Sequence, residues 1–588
     1  MHHLSAVQEV FVRRFATSFS PLRHLMRLVF CSGLLSFVSF ATAAFATPTV
    51  TILSPKASSD SGSPVFYEAY ATSPSCASGI NAMRIYSAPG VNAYSVDGAH
   101  IETFLPLKAG TYSTVVQAWD NCGGVAKTPV NITVNSNAGL SVFLPSSSSV
   151  DIPVHLAASV QNPECSGGIS AMRIYNASGT TPYTIDSNQL NTFVNLLPGK
   201  YGLTVQAWDN CGHVYKSQLT ETATAAADRY LYTVGGDVDE FLISDGVLST
   251  PSGETGFFAS AYLVAIAIDP GGWFGYVAAN NGIYGFQIDQ SNGNTRAMPG
   301  SPFALNGIFP TDIAIDPNGN FLFVAYNTSN TIGVYSIDRS SGAITETGTV
   351  TESGGTVAVT ADFTGQYLYA INQNENSAEI WGYKVNLNSG TLTAVPGSPY
   401  TIANANYGVA LSSTMLPSGS PASPLLYAQT DGPGFPLMGY AVNYGTGALT
   451  VVPGAPFDFD ETTHWPQSIL ADSQGKWVWS TALVGANPPQ DWFNYANIDS
   501  NGTLSPSSHS TVLSEYLYNF ALAEDGTGQY LYAGGSYCPS SGCSPNASTA
   551  VTSWKITDGD PVLLSGPFST EERGTSIIAV GVARQNGD

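Results

Sequence analysis

From Asp228 onward, apolar and polar positions alternate in short runs cut by tight turns. Ile313-Ala314-Ile315 leads into the turn Asp316-Pro317-Asn318-Gly319-Asn320, and Phe321-Leu322-Phe323-Val324-Ala325 follows. Thr331 to Asp338 alternates next, the turn Arg339-Ser340-Ser341-Gly342 closes it, and Ala343-Ile344-Thr345 ends the unit. Period-two alternation bounded by Gly, Asn and Pro predicts four short strands joined by tight turns. The unit recurs. Equivalent first strands contain Ile266, Ile313, Val357, Val409, Ile469 and Phe520; equivalent second strands contain Tyr276, Phe323, Tyr369, Tyr427, Trp479 and Tyr532. Outer turns return at Gly293, Gly342, Gly390, Gly447 and Gly502. Pro299-Gly300-Ser301-Pro302-Phe303 marks the end of a unit, with counterparts at Pro396 to Tyr400, Pro453 to Phe457 and Ser565 to Phe568.

A regular series of four-stranded units reads as the blades of a β-propeller. Arg229 to Val234 has the character of a second strand with no first strand before it, and Ser576 to Ala583 that of a first strand with nothing after it. Pairing the two completes a ring of seven blades and removes the open sheet edges. A different repeat precedes the ring. Cys76-Ala77-Ser78-Gly79-Ile80-Asn81-Ala82-Met83-Arg84-Ile85-Tyr86 returns as Cys165 to Tyr175, and Val116-Gln117-Ala118-Trp119-Asp120-Asn121-Cys122-Gly123 returns as Val205 to Gly212. A repeat of about 90 residues with alternating strands has the size of an immunoglobulin-like sandwich. Each repeat holds its own cysteine pair, so Cys76–Cys122 and Cys165–Cys211 are the natural bridges, each worth roughly 3–4 kcal/mol through restriction of the unfolded chain. The expected fold class is therefore all-β: two immunoglobulin-like sandwiches (47–136 and 137–222), then a seven-bladed propeller (223–588) closed by the C-terminal strand. A Thr/Ala-rich linker is expected from Gln218 to Ala227, with the sandwiches acting as spacers and Trp119 and Trp208 buried against the disulfides.

The V-x-A-x-D-N-x-G run resembles the last strands of bacterial immunoglobulin-like domains, which implies that Asp120 and Asp209 organise a turn. The I-A-x-D-P-x-G-x-F-L-F/Y-V-A and Y-x-I-D-x-x-S-G-x-L/I-T units resemble the lactonase-type seven-bladed propellers, the superfamily of bacterial β-propeller 6-phosphogluconolactonases and YVTN-repeat surface proteins, over about 230–585. That resemblance implies lactone hydrolysis, which needs a base for water and donors for the developing oxyanion. A phosphosugar substrate also needs Arg or Lys. The propeller holds Arg229, Arg296, Arg339, Lys384, Lys476, Lys555, Arg573 and Arg584 as its basic residues, and His464 and His509 as its histidines. None of these aligns with a catalytic residue of that family.

Composition agrees with the strand reading, since charged residues make up 10% of the chain while Gly (59) and Pro (36) are plentiful. The net charge of −23 repels phosphate backbones and anionic headgroups, so nucleic acid is not an expected partner. Leu28 to Phe45 is apolar or small, follows Arg23 and Arg27, and ends in the small-x-small sites Ala41-Thr42-Ala43 and Ala44-Phe45-Ala46. It reads as a signal peptide (1–46) rather than a membrane span, with the start open between Met1 and Met26. A secreted, periplasmic or cell-surface location follows, and the even set of cysteines left after Cys31 fits it.

Propeller ligands usually bind where loops enter the innermost strands and where second and third strands join. The first set includes Asp460 to Trp465, Glu515 to Tyr518, and Glu571 to Arg573. The second includes Asn372 to Glu379, Asp431 to Pro436, Asn487 to Trp492, and a loop stapled by Cys538 and Cys543. His464 near Glu461, with Arg573 and Glu572, is the candidate acid/base and oxyanion set. Trp465, Trp492, Tyr516 and Tyr518 are candidates to stack on a sugar or peptide. Asp458, Asp460 and Glu461 offer oxygen ligands to a divalent cation but lack a calcium-loop spacing, so no cofactor is expected. Two functions stay in view: a non-catalytic recognition protein binding a glycan, peptide or small molecule, and a secreted lactonase-type hydrolase.

Overall fold

The computed structural model describes residues 47–584 except 145–149, 177–182, 236, 250–261, 375–376, 404, 406, 417–423, 432–436, 458–463, 485–489, 507–510, 513–515, 539–547 and 574–579. The expected signal segment lies outside the described residues, as do Glu461, Asp458, Asp460 and Cys543. Every regular element among the described residues is a strand, and no helix there is long and apolar enough to cross a membrane.

Residues 49–134 form two facing sheets. Val65–Thr72 is central in a three-stranded sheet between Thr49–Ser54 and His100–Leu105. Gly110–Asp120 is central in a five-stranded sheet between Ile80–Ala88 and Val125–Val134. Residues 139–224 repeat this order strand for strand. Tyr67, Met83, Ile85 and Val116 fill the first core; Leu156, Met172, Ile174 and Val205 fill the second. Both disulfides form as read, Cys76–Cys122 and Cys165–Cys211. Asp120 takes the backbone N–H groups of Cys122 (3.0 Å) and Gly124 (2.5 Å) on one oxygen, and Asp209 takes those of Cys211 and His213. The Asp therefore does close the turn.

Two expectations fail here. Trp119 and Trp208 are half-buried on the outer sheet face, with the Arg84 and Arg173 guanidinium groups over their rings at 5.1 and 5.2 Å. Strand alternation decides this: Ala118 and Asp120 point inward, so Trp119 must point out. The Gln218–Ala227 linker is also mostly strand. Gln218 to Thr224 belongs to Val214–Thr224, which pairs along Gly199–Asp209, because Thr favours extended backbone and the partner strand is long enough to hold it. Only Ala225 to Ala227 link the domains, so the expected boundary after residue 222 falls inside a strand.

The remaining strands form seven antiparallel sheets, the blades, each built on four strands in a row; in two of them a short fifth strand, Tyr400–Ile402 or Thr511–Val512, pairs with the third. Blades 2 to 7 begin with Leu263–Ile268, Pro310–Ile315, Gly355–Ala361, Tyr407–Met415, His464–Ala471 and Tyr516–Glu524. Blade 1 combines Asp228–Val234, Val238–Ser244 and Val247–Ser249 with the C-terminal Val580–Arg584, where Leu231 faces Val582 and Tyr232 faces Gly581. The ring closes as the sequence predicts.

The repeated residues have definite roles. Asp269, Asp316, Asp362, Asp472 and Asp525 follow the first strands and accept backbone N–H groups of the next turn; Asp316, for instance, takes Asn320 (2.8 Å) and Phe321 (2.6 Å). The second-strand aromatics stitch blades together. Tyr232, Tyr276, Tyr369 and Tyr427 donate to the carbonyls of Gly293, Gly342, Gly447 and Gly502 in the following blade, and the Trp479 indole donates to Gly559. At Gly447 the backbone is left-handed (φ 72°) and a Cβ would run into the Tyr367 ring, which explains why that turn requires glycine.

Candidate functional site

Because neighbouring strands are antiparallel, the ring has two distinct faces. First-to-second and third-to-fourth turns share a turn face. Second-to-third links and blade-to-blade loops share the opposite loop face.

The sandwiches do not hold the ring at a distance; they dock on the turn face of blades 2 to 4. Asn318 exchanges hydrogen bonds with Phe193, Ser340 Oγ donates to the Glu102 carbonyl (2.5 Å), Gln287 donates to that of Asp97, and Asn388 accepts from Asp186. At the centre His155 Nε2 lies 3.1 Å from Glu102 Oε1, its Nδ1 lies 3.4 Å from Glu68 Oε1, and Arg339 Nε lies 3.0 Å from Glu102 Oε1. Arg339 also covers the Phe193 ring at 4.5 Å. Burial alone would strip the His155 proton, but the two carboxylates outweigh it and push its pKa up to about 10. Glu102 is driven the other way: Arg339 and His155 overcome its burial and hold the carboxyl far below the usual range. Beside them His100 stacks on Trp273 (4.2 Å) with neither ring nitrogen hydrogen-bonded to any described residue, and burial lowers its pKa. Sequence reading placed Arg339 in an outer turn and went no further, since its partners lie in both preceding domains.

On the loop face, the backbone puts the candidate residues at strand ends rather than in loops; their side chains lie outside the described residues. His464 and Trp465 open the innermost strand of blade 6, opposite Val484 and Leu483. Trp492 lies in the third strand of that blade, between Ala482 and Val512. Tyr516 and Tyr518 open blade 7, opposite Cys538 and Ser536. Glu572 and Arg573 end the outermost strand of blade 7, Asp560–Arg573, where Arg573 faces Ser548. Arg573 is thus three strands out from the innermost strand of its own blade, about 14 Å at the usual inter-strand spacing. In blade 4 the expected loop from Asn372 to Glu379 is mainly hairpin: Asn372 faces Glu379 and Asn374 faces Ser377. Extended, amide-rich sequence continues the ladder further than its polarity suggested.

Two loop-face features went unnoticed in the sequence. Ile308 and Phe309, in the loop from blade 2 to blade 3, are 64% and 61% exposed, and Phe309 sits in left-handed backbone (φ 64°). The Asn327 N–H to the Phe309 carbonyl (3.0 Å) and the Ile308 N–H to Ser329 Oγ (3.1 Å) pin that conformation. A bulky residue in this region is strained, and such strain clusters at ligand clamps. On blade 4, Glu352 accepts from Thr356 (3.0 Å) and Tyr383 (3.3 Å), with burial raising its pKa to about 7, while Glu379 accepts from Ser353 and Asn374. Neither signal was legible, since one is a backbone angle and the other joins residues from three segments.

The basic residues divide unevenly between the faces. Arg296, Arg339 and Lys476 lie at turn-face turns or strand starts, Arg229 begins a second strand, and Lys384, Lys555 and Arg584 end third or first strands, also at the turn face. Arg573 alone of the eight lies at a loop-face strand end.

The architecture is that of an all-β protein built around a seven-bladed propeller of the lactonase type. Residues 247–361 match the family model described as Lactonase, 7-bladed beta-propeller, which spans the end of blade 1 through the first strand of blade 4. Similar solved structures include a candidate 6-phosphogluconolactonase of Bacteroides fragilis (15% identity, 60% of this chain and 98% of that one, TM-score 0.45). Another of that description comes from Bacteroides uniformis (14%, 60% and 99%, TM-score 0.44). A Lactobacillus plantarum protein is also similar (16%, 61% and 100%, TM-score 0.42). Comparison with curated proteins gave no match. The ring itself is read from its own strand order.

Proposed function

We propose that the chain is an extracellular or cell-envelope recognition protein whose propeller binds an uncharged ligand, a glycan foremost, on its loop face. The exposed, strained Ile308–Phe309 tip carries this reading: folding holds two large apolar side chains in water, at a backbone cost of about 1–3 kcal/mol, on the face where propellers receive ligands. The distribution of basic residues restricts the ligand. A phosphorylated substrate calls for Arg or Lys, and all but Arg573 lie toward the turn face. The aromatic candidates Trp465, Trp492, Tyr516 and Tyr518 begin strands on the same loop face, where stacking on a sugar ring would use them. Two disulfides fit an oxidising, exported setting.

The second reading is a secreted lactonase-type hydrolase using His464 and Glu461 with Arg573 and Glu572. The family match supports it; the backbone separation of Arg573 from the inner strands speaks against it. A glycan array and a lactone panel on the purified protein separate the two. Glycan binding weakened by Phe309→Ala, with no lactone turned over, is the expected result. Lactone turnover abolished by His464→Ala would reverse the assignment.

A further inference from the structure

The turn-face end of the ring's channel is covered by the second sandwich. Its segment Asn195-Leu196-Leu197-Pro198, between the strands Gln189–Val194 and Gly199–Asp209, lies over the mouth. Beneath Asn195 is a cavity of about 450 Å³, within the range of small-molecule sites. Six blades reach its wall, through Asp228, Ile315, Thr360, Ser412, Leu470 and Glu524.

The polar groups on this wall have unused bonding capacity. Among the described residues the Asn195 amide and the Ser473 hydroxyl find no hydrogen-bond partner, though both line the cavity. Ser412 Oγ accepts the Ala471 N–H (2.8 Å) and keeps its own proton to give. Glu524 Oε2 accepts the Ser473 N–H (2.8 Å), and its Oε1 is enclosed rather than open to the cavity. Burial, with Asp472 beside it, pushes the Glu524 pKa up. Phe363, Leu470 and Leu522 supply apolar surface between these groups, and among the described residues none lining the cavity is basic. Hydroxyl and amide groups around apolar patches match a ring with hydroxyls at its edge and C–H groups on its faces. The absence of a cation on the wall disfavours an anion.

We propose that the channel floor is a binding site for a neutral polyhydroxylated ring, a free sugar, built jointly by Asn195 of the second sandwich and the inner strands of the propeller. The junction of His155, Glu102 and Arg339 then has a purpose beyond adhesion, because it fixes where Asn195 sits. This site lies at the opposite end of the ring from the Phe309 tip and stands or falls separately.

The test uses the intact protein with D-glucose, D-galactose and D-mannose as probes and D-gluconate as the charged control. Saturation-transfer NMR detects binding and calorimetry measures it. At least one neutral ring binds, gluconate does not, and Asn195→Leu weakens binding tenfold or more with an unchanged melting temperature. Asn195→Asp, which keeps polarity but adds charge beside the acidic wall, weakens it as well, and Phe309→Gly leaves it intact. No binding of any neutral probe, affinity unchanged from the parent in both Asn195 variants, or preference for gluconate would each overturn the proposal.

Discussion

Replacing His155 by Gln removes one positive charge from the junction and leaves most of the packing in place. In the parent, the imidazolium stands between Glu68 and Glu102 at 3.4 and 3.1 Å, and the His155, Glu68 and Glu102 side chains are all more than nine-tenths buried. Without it, two enclosed carboxylates share Arg339 as their one cation among the described ion pairs. Breaking a buried pair in this way costs about 3–5 kcal/mol. The pH dependence follows from the raised pKa. His155 is protonated in the folded chain up to about pH 10, whereas an unfolded histidine loses its proton near 6.5. Its stabilisation is complete below 6.5 and is lost as pH rises toward 10, at about 1.4 kcal/mol per pH unit. His100 acts oppositely: its depressed pKa makes stability fall as pH drops below 6.5. Urea unfolding followed by the fluorescence of Trp273, which stacks on His100 at the junction, reports both effects. Small-angle scattering reports whether the sandwiches detach. The parent should lose stability between pH 7 and 10 and His155→Gln should not, so the two curves converge at high pH. A variant within about 0.5 kcal/mol of the parent at pH 7, with parallel pH curves and an unchanged radius of gyration, would refute the clamp.

Tyr369→Phe removes the inter-blade bond to Gly447 and should cost about 1 kcal/mol in urea unfolding, whereas a change at Phe323, which has no hydroxyl, has no such bond to lose. Glu352→Gln should stabilise the protein by roughly 1–3 kcal/mol at pH 8 and have little effect at pH 4.5, because a carboxyl with a folded pKa of about 7 loses its contribution as pH rises from 4.5 through 7. Phe309→Gly should raise the melting temperature by relieving left-handed strain while weakening loop-face binding; a loss of stability would show that the side chain serves folding instead. The double change Cys76→Ser with Cys122→Ser should cost about 3–4 kcal/mol, the chain-entropy value for a bridge spanning 46 residues, read from denaturant midpoints.

Local chemistry wrote most of the fold into the sequence. Period-two alternation, the Asp-Pro-x-Gly turns and the glycines after third strands specify four strands per blade, because each acts on neighbours a few residues away. The orphan strands at the two ends gave the closure, since an unpaired ladder has to be completed somewhere. Matching cysteine pairs in matching repeats gave both bridges of the sandwiches. The failures share a cause. Gln218 to Thr224 looked like linker, and His464, Trp465, Tyr516 and Arg573 looked like loop, because polarity was read where the length of the partner strand decided the outcome. The docking of the sandwiches on the turn face was settled by the tertiary structure alone. Glu68 and Glu102, His155, and Arg339 come from three domains, and each would be an ordinary surface charge on its own. Together in a low dielectric they attract one another, an energy that depends on distances no local pattern encodes. The Phe309 backbone and the Asn195 lid are of the same kind: the sequence names the residues, and only the closed ring and the docked sandwich determine what they face.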